Sequence, residues 1–209
     1  TVIDTLHAVY EKYRYTNEDI FGIFGVGVGT AISAYFAAPL VGAKVVMMEH
    51  FDAEAALKLV QRERISRIGS APALLTMMVR HPNLEKYDLS SLRMVEWGGA
   101  PLPYEDGLEI EQKLGCTLIQ RYSSVDAGMG FESIPEEPIE IRLRYPGRPF
   151  AGTEIKLVDS NDREVSPGEV GRIMLRGPSG SSGYYGDPET TRQKWSSDGW
   201  YDMGDLGRI

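Results

Sequence analysis

The run Arg121-Tyr122-Ser123-Ser124-Val125-Asp126 follows the apolar pair Leu118-Ile119 and places a base, a ring, two hydroxyls and a carboxylate within six positions. Such a set matches a nucleotide: the ring can stack on a base, the hydroxyls can donate to phosphate oxygens, and Asp126 can hold a hydrated divalent cation. A second run, Gly98-Gly99-Ala100-Pro101, closes the strand-like Ser91-Leu92-Arg93-Met94-Val95-Glu96-Trp97. There the glycines let the backbone approach a flat ligand, and Ala100 and Pro101 offer a small apolar wall. Taken singly, a Gly-Gly pair after a strand is more often a plain turn, and a polar run after two aliphatics also serves as a strand exit. Their order along the chain carries more weight.

The elements that must hold these runs are readable around them. Lys44-Val45-Val46-Met47-Met48 reads as a strand. Asp52 then N-caps a helix whose apolar stripe runs through Ala56, Leu59 and Val60 toward Ile65. Arg67–Ser70 reads as a short strand, Pro72 opens a helix, and the Met77-Met78 pair within it reads as core filler. The helix beginning at Pro103-Tyr104 is closed by Gly115, and the strand Cys116–Tyr122 follows. Strands alternating with helices imply parallel pairing and right-handed crossovers, with ligands bound beyond the carboxyl ends of the strands.

Composition sets limits. With 209 residues and 42% hydrophobic content the chain can fill a real core. The net charge of -8 and the absence of a Lys/Arg stripe argue against nucleic acid as a partner. The single cysteine, Cys116, excludes an internal disulfide and reads as a small core residue rather than a nucleophile. Ile20–Ala43 is uncharged and long enough to cross a bilayer, with Gly25-x-x-x-Gly29 as a helix-pairing pattern. Its glycines, Pro39 and the lack of basic or aromatic flanks favour instead a buried helix entered through a glycine-rich turn, with no membrane span. Thr1–Tyr15 is polar and amphipathic, unlike a secretory signal, so a cytoplasmic protein is expected.

The pattern changes near Ser133. Ile134–Asp159 breaks short alternating runs with prolines and glycines, and Glu169–Gly177 alternates Val170, Ile173 and Leu175 with polar neighbours. Both read as antiparallel β. Gly177–Gly186, rich in glycine and serine, lacks a lysine and reads as a hairpin loop between strands rather than a phosphate grip. The expected organisation is an α/β subdomain over residues 1–137 and a β-rich one over 138–209.

The stretch Gly168–Ile209 closely resembles the part of adenylate-forming enzymes that runs Gly-Glu-(Leu/Val)-Gly, Gly-Pro, Gly-Tyr, Thr, Asp-Gly-Trp-(Phe/Tyr)-x-Thr-Gly-Asp. Gly98–Pro103 looks like that superfamily's adenine-binding loop, and Tyr122–Asp126 like its Tyr-Gly-x-Thr-Glu segment. Pro146–Asp159 looks like the entry to its β-barrel subdomain. The resemblance covers essentially the whole chain, more weakly before residue 44. It implies α/β class, with a parallel-sheet αβαβα subdomain followed by part of an antiparallel β-barrel. It also implies a two-step reaction: a carboxylic acid and ATP give an acyl-adenylate and pyrophosphate, and coenzyme A then takes the acyl group as a thioester. By the same resemblance Gly98, Gly99, Ala100 and Pro101 border adenine, Tyr122 stacks on it, and Gln120, Arg121, Ser123 and Ser124 lie along the nucleotide and acyl pocket. Asp205 accepts from the ribose hydroxyls, and Asp126 is the catalytic carboxylate linked to Mg2+.

The chain departs from the pattern in several places. Val125 stands where the family has Thr, Asp126 where it has Glu, Met203 where it has Thr, and no His falls around Phe24–Val28. The Ser/Thr/Gly loop ending Pro-Lys-Gly and the C-terminal domain with its acyl-phosphate Lys are not within these residues. The expectation is an internal fragment of an acyl-CoA synthetase, acting on a medium-sized or aromatic acid and inactive in ATP–pyrophosphate exchange alone. Apolar surface left bare in such a fragment predicts self-association. Two alternatives stay open: an adenylation domain that loads a carrier protein, and a non-catalytic nucleotide-binding homologue.

Overall fold

The computed structural model describes residues 12–24 and 38–209. In chain order the elements are β1 (Ile20–Phe24), β2 (Lys44–Met48), α1 (Ala53–Glu63), β3 (Arg67–Ser70), α2 (Pro72–Val79), β4 (Met94–Gly98), α3 (Tyr104–Leu114), β5 (Thr117–Ser124) and β6 (Gly128–Glu132). They continue with α4 (Ile139–Arg144), β7 (Arg148–Pro149), β8 (Glu154–Val158), β9 (Gly171–Arg176), α5 (Pro188–Lys194) and β10 (Tyr201–Gly207). A seven-stranded sheet has the order β2-β1-β3-β4-β5-β6-β7, and a separate three-stranded sheet has the order β10-β9-β8. The pairs from β2 through β5 are parallel, and both pairs of the small sheet are antiparallel. This is the expected α/β subdomain with an antiparallel β portion after it.

Two compact units result. One holds Phe131–Arg148 and the described residues up to Tyr122; the other holds Ser123–Gly130 and Pro149–Ile209. The division therefore crosses the chain within β5 and again within β6 and β7, whereas composition alone changes only once, near residue 137.

In the first unit, helix ends follow local chemistry. Asp52 Oδ1 accepts from Ala55 N at 2.7 Å as the N-cap of α1. Pro72 opens α2, and Gly115 closes α3 in the left-handed region at φ 63. Because strand residues alternate between faces, Phe24, Ile68, Val95, Trp97 and Leu118 share one face. They pack with Ala56, Leu57 and Val60 of α1, Leu75 and Met78 of α2, and Ile110 and Leu114 of α3. Cys116 belongs to this core, and burial first of all pushes its thiol up to about 12. Of the methionine pair, Met78 is buried but Met77 is 53% exposed.

Four local expectations are corrected. Ile20–Phe24 is a strand rather than the start of a buried helix, inserted between β2 and β3, where its Ile and Phe side chains fit a sheet buried on both faces. The rest of that uncharged stretch up to residue 37, Gly25 and Gly29 included, lies outside the described residues. Among the described residues no helix is long and apolar enough to cross a membrane. Ile139–Arg144 is a helix and not a strand, although Ile-Glu-Ile-Arg-Leu-Arg alternates. Ile139, Arg142 and Leu143 also satisfy helical spacing, and the buried Arg142 decides between the two. Its guanidinium donates to Glu111 Oε2 at 2.8 Å and Oε1 at 2.9 Å, and to the Leu118 carbonyl at 2.6 Å. Gly177–Gly186 is no hairpin, since it leads from β9 into α5. The strand expected to end at Tyr122 runs on through Ser123 and Ser124, so the turn begins only at Val125.

Arg142 therefore fastens α4 to α3 and β5. Replacing it by Met strands a partly buried Glu111 and an unanswered carbonyl, which should cost about 3 kcal/mol. Urea unfolding should show a lower midpoint with an unchanged slope, and an unaltered midpoint would show the pair contributes nothing net.

Candidate functional site

The first unit brings together Gly98–Pro101 and Gln120–Tyr122. β4 and β5 are parallel neighbours in which Gly98 faces Arg121, so both runs emerge at the same, carboxyl edge of the sheet. Gly98 has to be glycine. A Cβ there would lie 2.4 Å from the Arg121 carbonyl oxygen, far inside contact distance. Gly99 has space around it but sits at φ +78, a left-handed conformation that turns the chain out of the sheet. Gly99, Ala100 and Pro101 are exposed, as a ligand-facing loop requires. The Tyr122 ring lies 5.7 Å from that of Phe131.

Gln120 and Arg121 point to opposite faces. Gln120 shares its face with Trp97, and the buried Gln120 Oε1 and Trp97 Nε1 make no hydrogen bond among the described residues. Arg121 lies on the other face, inside a set of charges that sequence reading did not foresee. Its Nη1 is 2.8 Å from Glu96 Oε2, and its guanidinium is 5.5 Å from the Tyr13 ring. Tyr15 donates to Glu96, and Tyr13 donates to Glu132 Oε2 at 2.5 Å. Nearby, Arg67 pairs with the fully buried Asp19 at 3.2 Å and lies 4.2 Å over the Tyr15 ring. Burial opposes the charge on Arg121, but its surroundings, Glu96 foremost, hold its pKa above the ordinary arginine value. Burial, and then the charge of Glu96, pushes the Tyr15 hydroxyl well up, so it stays a neutral donor. The sequence signal was one charged residue in each of β3, β4 and β5, Arg67, Glu96 and Arg121, among otherwise uncharged neighbours, which a partly solvated face would also have produced.

The second unit holds Ser123, Ser124, Asp126 and Asp205. Ser124 Oγ accepts from the Asp126 amide at 3.1 Å and the Ala127 amide at 3.4 Å, which forms the turn after β5. Asp126 Oδ2 accepts from the hydroxyls of Tyr184 at 2.7 Å and Tyr201 at 3.0 Å. Its carbonyl accepts from Ser181 N at 2.8 Å. The Gly/Ser-rich segment thus braces this turn, and Gly128, at φ +78, allows the approach because a Cβ would meet the Ser179 carbonyl at 2.6 Å. The hydrogen bond to Asp126, above all, raises the Tyr184 pKa and keeps it a donor. Ser123 and Val125 are exposed. In β10 the pairing slips between Asp202 and Leu206, and Asp205 falls in that irregularity, exposed, after Gly204 at φ +80.

No group of three His, Cys, Asp or Glu among the described residues could hold a metal ion on its own. Mg2+ bound with a nucleotide takes one or two carboxylates, the rest of its shell being phosphate oxygens and water. Asp126 fits that lesser requirement, because its Oδ1 accepts no hydrogen bond among the described residues.

A parallel sheet with a glycine loop and Tyr122 at its carboxyl edge is the arrangement of a ligand-binding α/β fold. The chain belongs to the AMP-binding enzyme family, whose model matches residues 5–185. Among curated relatives it is 34% identical over 167 residues to pyochelin synthase PchD of Pseudomonas aeruginosa, covering 79% of this chain and 30% of that protein. It is 31% identical over 170 residues to feruloyl-CoA synthase of an Amycolatopsis species, covering 81% and 34%. It is 30% identical over 169 residues to 2,3-dihydroxybenzoate-AMP ligase of Bacillus subtilis, covering 80% and 31%. Among solved structures, the amide bond synthetase McbA of Marinactinospora thermotolerans superposes with a TM-score of 0.87 at 30% identity, over all of this chain and 42% of that one. The AMP complex of O-succinylbenzoate coenzyme A synthetase from Bacillus subtilis shares the fold at a TM-score of 0.85 and 23% identity, over 100% and 42%. The chain spans about a third of the length of the curated relatives it matches.

The two glycines should respond differently to alanine. Gly98→Ala should lower the melting temperature steeply by forcing β4 from β5. Gly99→Ala, which meets only backbone strain, should cost about 1–2 kcal/mol. Thermal unfolding of both variants checks the order, and equal losses would contradict the close approach at Gly98.

Proposed function

We propose that this chain supplies part of the nucleotide site of an ATP-dependent ligase that activates an aromatic carboxylic acid as its acyl-adenylate and then passes the acyl group to a thiol. The observation that carries the reading is the joint emergence of Gly98–Pro101 and Gln120–Tyr122 at one carboxyl edge of the parallel sheet, in a chain of the AMP-binding family. Relatives named for feruloyl, 2,3-dihydroxybenzoate and 4-coumarate substrates support the aromatic class.

In this reading the Gly98-Gly99 backbone and the Ala100-Pro101 wall border adenine, and Tyr122 stacks on it. Gln120 and Arg121 set the strand end that carries Tyr122, with Arg121 held by Glu96. The hydroxyls of Ser123 and Ser124 face the nucleotide. Asp205, an acceptor-only group on an exposed irregularity, takes both ribose hydroxyls. Asp126 offers Oδ1 to Mg2+, which supplies charge neutralisation at the phosphates. The acid's carboxylate oxygen attacks the α-phosphorus and pyrophosphate leaves. The thiol sulfur then attacks the acyl carbon and AMP leaves. Positioning and pre-organised charge carry most of the acceleration.

Coenzyme A is the thiol in the first reading. A carrier-protein thiol is the second, favoured by the similarity to pyochelin synthase and to 2,3-dihydroxybenzoate-AMP ligase. The complete gene product, given a panel of benzoic and cinnamic acids, should catalyse acid-dependent ATP–pyrophosphate exchange. Asp205→Asn should raise the KM for ATP roughly 10- to 150-fold, the worth of a charge-assisted hydrogen bond of about 1.5–3 kcal/mol. Thioester formation with coenzyme A, against transfer to a carrier protein, separates the two acceptors. Absence of exchange with every acid, alongside AMP binding, would leave a nucleotide-binding homologue.

A further inference from the structure

Asp126 is a shorter carboxylate than the one its motif leads one to expect, and it is held in an unusual way. Both phenols that reach it donate to the same oxygen, Tyr184 at 2.7 Å and Tyr201 at 3.0 Å. The other oxygen, Oδ1, receives no hydrogen bond among the described residues. Its backbone is pinned as well, by Ser124 Oγ at the amide and by Ser181 N at the carbonyl. The two tyrosines come from distant parts of the second unit but lean on one ring. Trp195 lies 5.2 Å from the Tyr184 ring, edge-on, and 4.6 Å from the Tyr201 ring. Trp195 also bridges Tyr201 through the backbone, and Tyr184 N donates to Thr191 Oγ1 at 2.9 Å on the helix that precedes Trp195.

We propose that Tyr184 and Tyr201 are positioning residues for Asp126, saturating Oδ2 so that Oδ1 alone is presented, in one orientation, to the divalent cation of a metal–nucleotide substrate. This rests on the reading of the site as that of an adenylate-forming ligase. A carboxylate with a donor on each oxygen would share either oxygen between a hydrogen bond and the cation, weakening its hold on both, and an unrestrained one would have to be ordered at the moment of binding. Two donors on a single oxygen remove both costs. Partners that orient a ligand in this way typically govern metal affinity by about 10- to 100-fold.

The test uses the complete gene product and its Tyr184→Phe, Tyr201→Phe and double variants, which keep the rings against Trp195 and remove only the hydroxyls. Mn2+ is titrated by electron paramagnetic resonance in the presence of a non-hydrolysable ATP analogue, and nucleotide binding is measured separately without metal. The double variant should bind Mn2+ about 10-fold or more weakly, with metal-free nucleotide affinity and the KM for the acid unchanged. Asp126→Asn should lose Mn2+ further. Should the double variant fail to fold, the single Tyr184→Phe variant, whose phenol is only partly buried, is required to show the same shift at smaller size. Unchanged Mn2+ affinity in the tyrosine variants, while Asp126→Asn loses it, would overturn the positioning role and leave the ligase reading intact. No nucleotide or Mn2+ binding by the unaltered protein would overturn the ligase reading itself.

Discussion

The hydrogen-bonded register between β4 and β5 governs what the first unit can present. Because Gly98 stands opposite Arg121, β4 gives way to the glycine loop at the height where β5 reaches Tyr122. That pairing is possible only with hydrogen as the side chain at position 98, given how near the Arg121 carbonyl lies. A slip of one residue would exchange the faces of Gln120 and Arg121, sending a charged guanidinium into the helix-covered core. The register is therefore enforced from both faces at once, by apolar packing on one and by the Glu96–Arg121 pair on the other.

That second face is costly to bury. Asp19, Arg67, Arg121 and Glu132 are almost wholly removed from solvent, and charges so placed are tolerated only when paired. An apolar face would hold the sheet as firmly. What the charges add is definition, since each carboxylate here has a specific arginine or tyrosine to answer and few alternative arrangements satisfy all of them.

Much of this was readable from the residues. The α1, α2 and α3 segments carry caps or closing residues at their ends, and β3, β4 and β5 sit between them at lengths a parallel sheet demands. The glycine loop and the carboxylate at 126 were singled out by type and order, and Asp205 by the family resemblance. Legibility failed where two periods coincide or where partners are remote. Ile139–Arg144 satisfies both strand and helix spacing, and only the contacts of Arg142 choose. Ile20–Phe24 carries no polar residue to reveal a face. The hold of Tyr184 and Tyr201 on Asp126 spans 58 and 75 residues, a distance over which one sequence carries no local signal. The Gly/Ser-rich segment was misplaced for the same reason, because its use is to lie against a turn fifty residues earlier.

Cys116, the sole thiol in the 209 residues, is buried in the apolar core with its pKa pushed up to about 12. Near neutral pH it is almost entirely protonated and sheltered, so alkylating reagents and mild oxidants meet a chemically silent surface. Within these 209 residues a cysteine introduced at an exposed position such as Val125 or Leu206 would therefore take up a label in preference to Cys116, a ready background for site-directed spectroscopy.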